Sequence, residues 1–496
     1  MRSWILPEPE LSFGKGDKHV DPKAGLTMFG PFVAEGQTQS SLGAINLGLI
    51  GPRNAVSFAE SWLGEVQSTI AASQKDPMLF PSFPGFESVF RSKIELPKAL
   101  REEIPQAEVN RVLGILDPRD RVVEAAKLYL TRIDQFRSLE PKASVVICVI
   151  PKEIEEHCWS SRGSKPTPEE RKTQKLQKKW REKGQLFLAD FDEKITPVVE
   201  APGRGTNLRA RIKASAMLLG VKTQLLRETT LSGERGVQPR GTMAWNFCVA
   251  LYYKAGGFPW RLAHIRENTC FVGISFYRER GWDPATMGTA IAQVFDRTGE
   301  GLILKGARVE WSKGDRRSPH LNKDAARNLV EKVMNAYRSR QRGIPERVVF
   351  HKTSRFWPEE LEGMRQALPT NTQADFLAIE EGSLRFVRDG KYPPLRGTCI
   401  ALGDREYVVY GMGYIQYLNT YPGHHVPSPL HVIEHVGEAT PQQVCGEMLA
   451  LTKLNWNTAQ YCCGVPITLN IARRVSSVLA ELPEDANVDP SYRFYM

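Results

Sequence analysis

The sequence has 496 residues, 41% of them hydrophobic and 25% charged, with a formal net charge of +10. That length holds two or three full-sized cores in an ordinary soluble composition, and the basic excess favours a polyanionic partner over an acidic protein surface. No run approaches the ~18 apolar residues of a membrane span, and the start, MRSWILPEPELSFG, lacks the apolar core of a signal peptide, so a cytoplasmic location and no membrane partner are expected.

Residues 1–40, rich in Gly and Pro, read as a lead-in too short for a domain. AINLGLIG (44–51) is an apolar run short enough for a buried strand, and NAVSFAESWLGEVQSTI after it carries apolar residues at helical spacing. KASVVICVIP (142–151) is a second buried strand. The tract SSRGSKPTPEERKTQKLQKKWREKGQ (160–185) is strongly basic and polar, either a solvated loop with a surface helix or a flap over a nucleic-acid backbone. NLRARIKASAMLLG (207–220) predicts a helix with Asn207 as N-cap and Gly220 at its end. Strand, helix, strand, helix gives a doubly wound, Rossmann-like α/β domain over 41–258, closed by the breaker in YYKAGGFPW.

A second α/β unit, 259–496, follows without a flexible linker. TCFVGISF is a strand, PATMGTAIAQVFDRTG (284–299) is expected to be a helix, and GLILKGARVEW a strand pair. NKDAARNLVEKVMNAYRSR is a long amphipathic helix, ERVVFHKT a buried strand and WPEELEGMRQAL a helix. The end is helical, in TPQQVCGEMLALTKLN and PITLNIARRVSSVLAEL. The eight cysteines (Cys148, Cys158, Cys248, Cys270, Cys399, Cys445, Cys462, Cys463) form no C-x-x-C pair and lie mostly in apolar runs, as reduced core residues do. HHVPSPLHVIEH places His424, His425, His431 and His435 close in sequence, but it matches no zinc spacing and reads as a loop entering a strand. GKGDK near residue 14 lacks the strand and spacing of a P-loop.

Three stretches are more specific. LTKLNWNTAQYCCGVPITLNIARRV (451–475) resembles the C-terminal helices of PIWI domains, TYPGHHVPSPL (420–430) the segment before them, and EPELSFGKGDKHVDPKAGLTMFGPF (8–32) the opening of prokaryotic Argonautes that lack N-terminal and PAZ domains. In order and spacing the chain resembles a short prokaryotic Argonaute from about residue 8 onward. The resemblance implies a Rossmann-like MID domain followed by an RNase H-like PIWI domain.

One constellation follows from the residues themselves. Arg209 and Lys213 are one helical turn apart and share a face. Gln224 lies just past that helix, and Lys254 in LYYKAGG. A terminal phosphate needs cations, a neutral donor and preferably a helix N-terminus, which Asn207 to Arg209 would supply. On spacing alone, Arg209 and Lys213 could equally be a solvated helix face. The resemblance decides for the pocket, because Arg, Lys, Gln and Lys in this order match the MID site that holds a guide's 5′ end. It also implies a divalent cation, Mg²⁺, bridging the guide's first phosphates and the carboxylate of Met496.

Cleaving PIWI domains hold two divalent cations on carboxylates. The first acid would stand in a G-x-D context, where VGISF has Ser275. The next would follow VVFHKTS, where Thr353 stands beside Lys352, and the last would fall near TLNIA, which has no acid or histidine. Glu300 and Glu310 are the near candidates for a glutamate finger. A hydroxyl and a lysine cannot hold two cations spaced about 4 Å apart, so the expectation is binding without cutting. The resemblance then implies a subunit holding a small guide RNA and a complementary single-stranded DNA target. Its partner would be an APAZ-domain protein fused to a TIR, sirtuin-like or nuclease effector. Target recognition, with possible higher oligomerisation, would trigger that effector and deplete NAD or degrade nucleic acid in anti-plasmid or anti-phage defence. The alternatives are an active guided nuclease with a rearranged acid set and a stand-alone nucleic-acid-binding regulator.

Overall fold

The computed structural model describes residues 2–33, 42–115, 117–161, 206–233, 238–266, 268–276, 286–287, 290–295, 300–306, 309–310, 320–341, 343–389, 393–423, 425–470, 472–483, 486 and 489–496. Most of the basic 160–185 tract, the side chain of Glu310, and His424 lie outside the described residues.

The first half is built on a parallel five-stranded sheet. Ala44–Gly51 runs through its middle, with Lys93–Glu95 and Arg101–Glu103 beside its two ends on one side and Val145–Ile150 on the other, followed by Thr223–Arg227. All six residues of Val145–Ile150 are buried, which is why that strand reads as an unbroken VVICVI instead of an alternation. Helices Arg53–Glu65 and Arg240–Ala255 pack on one face, and Pro118–Phe136 and Leu208–Leu218 on the other. Asn207 caps the last of these, its side chain accepting from the Ala210 N–H at 3.1 Å, and Gly220 takes the positive φ that ends it.

The second half is a nine-stranded mixed sheet. Its central strands Thr269–Phe276, Arg347–Lys352 and Gln373–Glu381 are parallel, and the outer ones are antiparallel. Helices Lys323–Gln341 and Pro358–Ala367 cover one face, and the C-terminal helices cover the other. The approach of Ile467–Asn470 is close enough that a Cβ on Gly273 would lie 1.9 Å from the Thr468 carbonyl oxygen, so VGIS must carry glycine there. Within the expected helix 284–299, the described residues Thr286–Met287 and Ala290–Phe295 are strands. Ala290–Phe295 is a strand paired antiparallel with Thr269–Phe276 on one side and Gly301–Lys305 on the other. The spacing in AIAQVF fits either period, and pairing into the sheet on both sides decides between them.

The lead-in is stitched into the second half. Arg2–Ile5 adds the edge strand beside Thr398–Gly403, and Leu11–Phe13 pairs with Arg261–Leu262. The Glu8 carboxylate meets Arg396 at 3.0 Å and Lys453 at 2.6 Å, both cations buried, and they hold it below the usual carboxylate range against the opposing effect of burial. All eight cysteines are free and buried. Among the described residues, no helix is long and apolar enough to cross a membrane.

Candidate nucleic-acid interface

The N–C seam is made by side chains from both halves. Asn246 on the Arg240–Ala255 helix accepts from the Thr458 hydroxyl at 2.8 Å and the Ala459 N–H at 2.9 Å, and the Trp260 indole donates to the Lys453 carbonyl at 2.9 Å. The chain's last residues tuck into this seam. Arg493 donates to the Tyr253 carbonyl and lies 4.3 Å from that ring's centroid, while Asn457 donates to the Tyr492 hydroxyl at 3.0 Å.

Against the seam lies a cavity of about 590 Å³, and Arg209, Lys213, Gln224, Lys254 and Met496 all line it. Residues 287 positions apart in sequence thus share one wall. Arg209 and Lys213 come from one helix face, Gln224 from the strand after it, and Lys254 from the last turn of Arg240–Ala255. Lys213 and Lys254 are each only 2% exposed, and both donate to the Thr223 carbonyl, at 3.0 and 3.2 Å. Lys254 also donates to the Gln224 amide oxygen, and Arg209 donates to the Tyr495 carbonyl at 3.2 Å.

The sequence did not single out two further cations on this wall, Arg227 and Arg474. Among the described residues, the lining holds five cationic and no acidic side chains. Burial and mutual repulsion destabilise the charged forms. Lys254 is pushed down to about 7, by burial first and then by Arg209 and Arg474. Lys213 is held well below the lysine range by burial, Lys254 and Arg209, and Arg209 is brought to about 10 by burial and Arg474. Crowded, poorly compensated cations are costly in an empty site, and an anion repays that cost.

The helix N-terminus does not serve this cavity as expected. Asn207 spends its side chain on capping, and its own N–H faces the Glu481 carboxylate at 3.2 Å, which also meets Arg211 at 3.4 Å. The wall is therefore made of side chains one turn further on.

At the sheet's other functional edge, strand register aligns Ile274 with Lys352, which sets Ser275 beside Thr353. Ser275, His351 and Thr353 share the face under the C-terminal helices. His351 contacts the Thr468 hydroxyl at 2.7 Å, and burial keeps its imidazole neutral by lowering it to about 3. The buried Ser275 hydroxyl and His351 Nε2 have no hydrogen-bond partner among the described residues. Lys352 does not stand at this point. It faces the opposite side of the sheet, where it is fully buried and paired with Glu360 at 2.6 Å, so it opposes no metal at Ser275. Glu300 is also displaced. It precedes Gly301, which lies across from Phe295 and Phe271, about four residues or ~13 Å along the strands from Ser275, and it pairs with Arg340 at 2.9 Å. Among the described residues, the donors beside Ser275 are neutral. His431 and His435 do not converge, since they bind Glu406 at 2.8 Å and Asp375 at 2.9 Å respectively.

No family model matches the sequence, and no curated protein does. Solved structures do. The chain superposes over 99% of its length on Clostridium butyricum Argonaute bound to a guide DNA and a 19-mer target DNA, with a TM-score of 0.64 at 15% identity. It superposes over all of its length on A. aeolicus Argonaute (TM-score 0.55, 14% identity) and on Drosophila Piwi (0.59, 12%). The fold is Argonaute-like. The chain spans 54% to 56% of the length of these Argonautes.

Mg²⁺ fits this cavity poorly by the cavity's own residues. Mg²⁺ demands about six oxygen ligands, and here the Met496 carboxylate would be one anion among five cations, with Gln224 already engaged by Lys254.

Proposed function

We propose that this chain is a guide-holding recognition subunit, with the 590 Å³ cavity seating the 5′-phosphate of a small guide, RNA by preference. The observation that carries this reading is the wall of five cations with no acidic side chain among the described residues. A terminal phosphate monoester carries about 1.5–2 negative charges and three acceptor oxygens, which suits Arg209, Lys213 and Lys254 together. Gln224 offers a neutral amide donor once its NH2 turns from the Leu225 carbonyl, to which it donates at 3.1 Å. Base pairing along the guide would then supply target specificity. Direct competition tests this: a 5′-phosphorylated oligonucleotide should displace its 5′-hydroxyl twin, and EDTA should leave that preference unchanged. Equal affinity for the two removes the assignment.

The subunit is proposed to hold its single-stranded DNA target without cutting it, since Ser275 and Thr353 offer no carboxylate. The resemblance in 8–32 and 420–475 supports the wider part of the proposal, an APAZ-domain partner carrying the effector. Co-expression with such a neighbouring protein should give a 1:1 complex that survives high-salt size-exclusion chromatography, with a permanent interface above about 2,000 Å². Separation under those conditions, with target binding undiminished, favours the stand-alone regulator.

A further inference from the structure

Resting on the guide-pocket reading, we propose that seating the 5′-phosphate is coupled to proton uptake, because the empty cavity holds Lys213 and Lys254 as a pair sharing one charge.

The geometry favours sharing. The two buried amino groups converge on one acceptor, the Thr223 carbonyl, at 3.0 and 3.2 Å, which leaves their nitrogens no more than about 6 Å apart. Each residue is only 2% exposed, so water does little to screen two ammonium charges that close. The pair therefore favours the neutral amine in one member.

The surroundings offer little relief. Arg209 comes from the Lys213 helix, Arg227 from the end of the Thr223–Arg227 strand and Arg474 from the Ala472–Leu479 helix, all adding positive charge, and the Glu155 carboxylate at 3.4 Å offsets Arg227 from outside the lining. Cys148 on the Val145–Ile150 strand and Tyr492 near the chain end are both pushed up to about 12 by burial, and so are uncharged at neutral pH. Met496 closes the wall, its carboxylate being the one acid the lining can contribute. A dianionic phosphate reverses the balance. Each lysine then gains an anionic partner, and the second ammonium becomes favourable.

The sign follows. The empty-state pKa values are lowered, to about 7 for Lys254, and the occupied-state values return toward the ordinary lysine range. Binding therefore favours the protonated form. Affinity is fully present below about pH 7 and is lost as pH rises from there toward the occupied-state value, by about tenfold per pH unit for one proton. The phosphate's own second ionisation, near pH 6, lies below that window.

Calorimetry of the full chain decides it. The probes are a short 5′-phosphorylated single-stranded RNA and its 5′-hydroxyl twin, each titrated at about pH 8 in two buffers of different ionisation enthalpy. The expected result is uptake of one to two protons with the phosphorylated RNA and none with its twin. Lys213→Arg with Lys254→Arg, which leaves both positions charged throughout, should keep the phosphate preference and flatten the pH profile. A phosphate preference with no proton uptake and a flat parental profile overturns the coupling and leaves the pocket reading standing. Equal binding of the two RNAs overturns both. The buffer comparison uses the parent chain alone, so it holds even if the arginine variant fails to fold.

Discussion

A chain carrying Lys213→Met and Lys254→Met together is expected to bind a 5′-phosphorylated guide about 10²–10⁴-fold more weakly, while its affinity for the 5′-hydroxyl guide stays near the parent's. Each lysine loses charge-assisted hydrogen bonds worth roughly 1.5–3 kcal/mol, and the two losses sum to the stated range if they act independently. Methionine is chosen because both lysine stems are buried, and an unbranched thioether keeps most of that packing. The Thr223 carbonyl loses both donors, which sets a moderate stability cost. Filter binding with the two guide forms, alongside a thermal melt, separates the effects. A loss that is equal for both guides points to a disturbed fold or a different phosphate seat.

Arg209 and Lys213 were legible as a pair because helical spacing is local, and Asn207 and Gly220 mark that helix's ends by their chemistry. The convergence of Gln224, Lys254 and Met496 on the same wall was reached only through resemblance to a family, since no local rule links positions so far apart. Arg227 and Arg474 carried no signal. Arg474 sits in an ordinary Ala-Arg-Arg run of an amphipathic helix, and only the packing of that helix against Leu208–Leu218 brings it to the cavity. The strand Ala290–Phe295 was misread for the opposite reason: its apolar spacing is local but ambiguous, and pairing into the sheet on both sides resolves it. Lys352 shows the cost of arguing side from sequence adjacency. It neighbours Thr353, yet alternation along the strand sends its own side chain to the face opposite His351, toward Glu360.

The second large effect concerns cutting. The purified, guide-loaded chain should leave a complementary DNA target intact with Mg²⁺ or Mn²⁺ over times in which a two-metal nuclease turns over many times. Two-metal catalysis works by holding cations about 3.5–4 Å apart on anionic oxygens, so that one activates the attacking water and the other stabilises the leaving oxygen. The positions that geometry brings together here are Ser275 and Thr353, on adjacent strand ends, with His351 and Thr468 beside them. Hydroxyls and one neutral imidazole cannot offset two divalent charges. Glu300 cannot stand in, since it lies at the far end of the strands and is tied to Arg340. The rival reading, a rearranged acid set, has Glu310 as its remaining candidate, and it makes a distinct prediction: scission opposite the middle of the guide, abolished by Glu310→Gln with guide affinity unchanged. A gel of end-labelled target, run for the parent and that variant, distinguishes the two. Intact target in both lanes leaves a recognition subunit whose consequences must be executed by another chain. Mid-guide scission in the parent lane alone makes the protein a nuclease and moves its metal site to residues around Glu310.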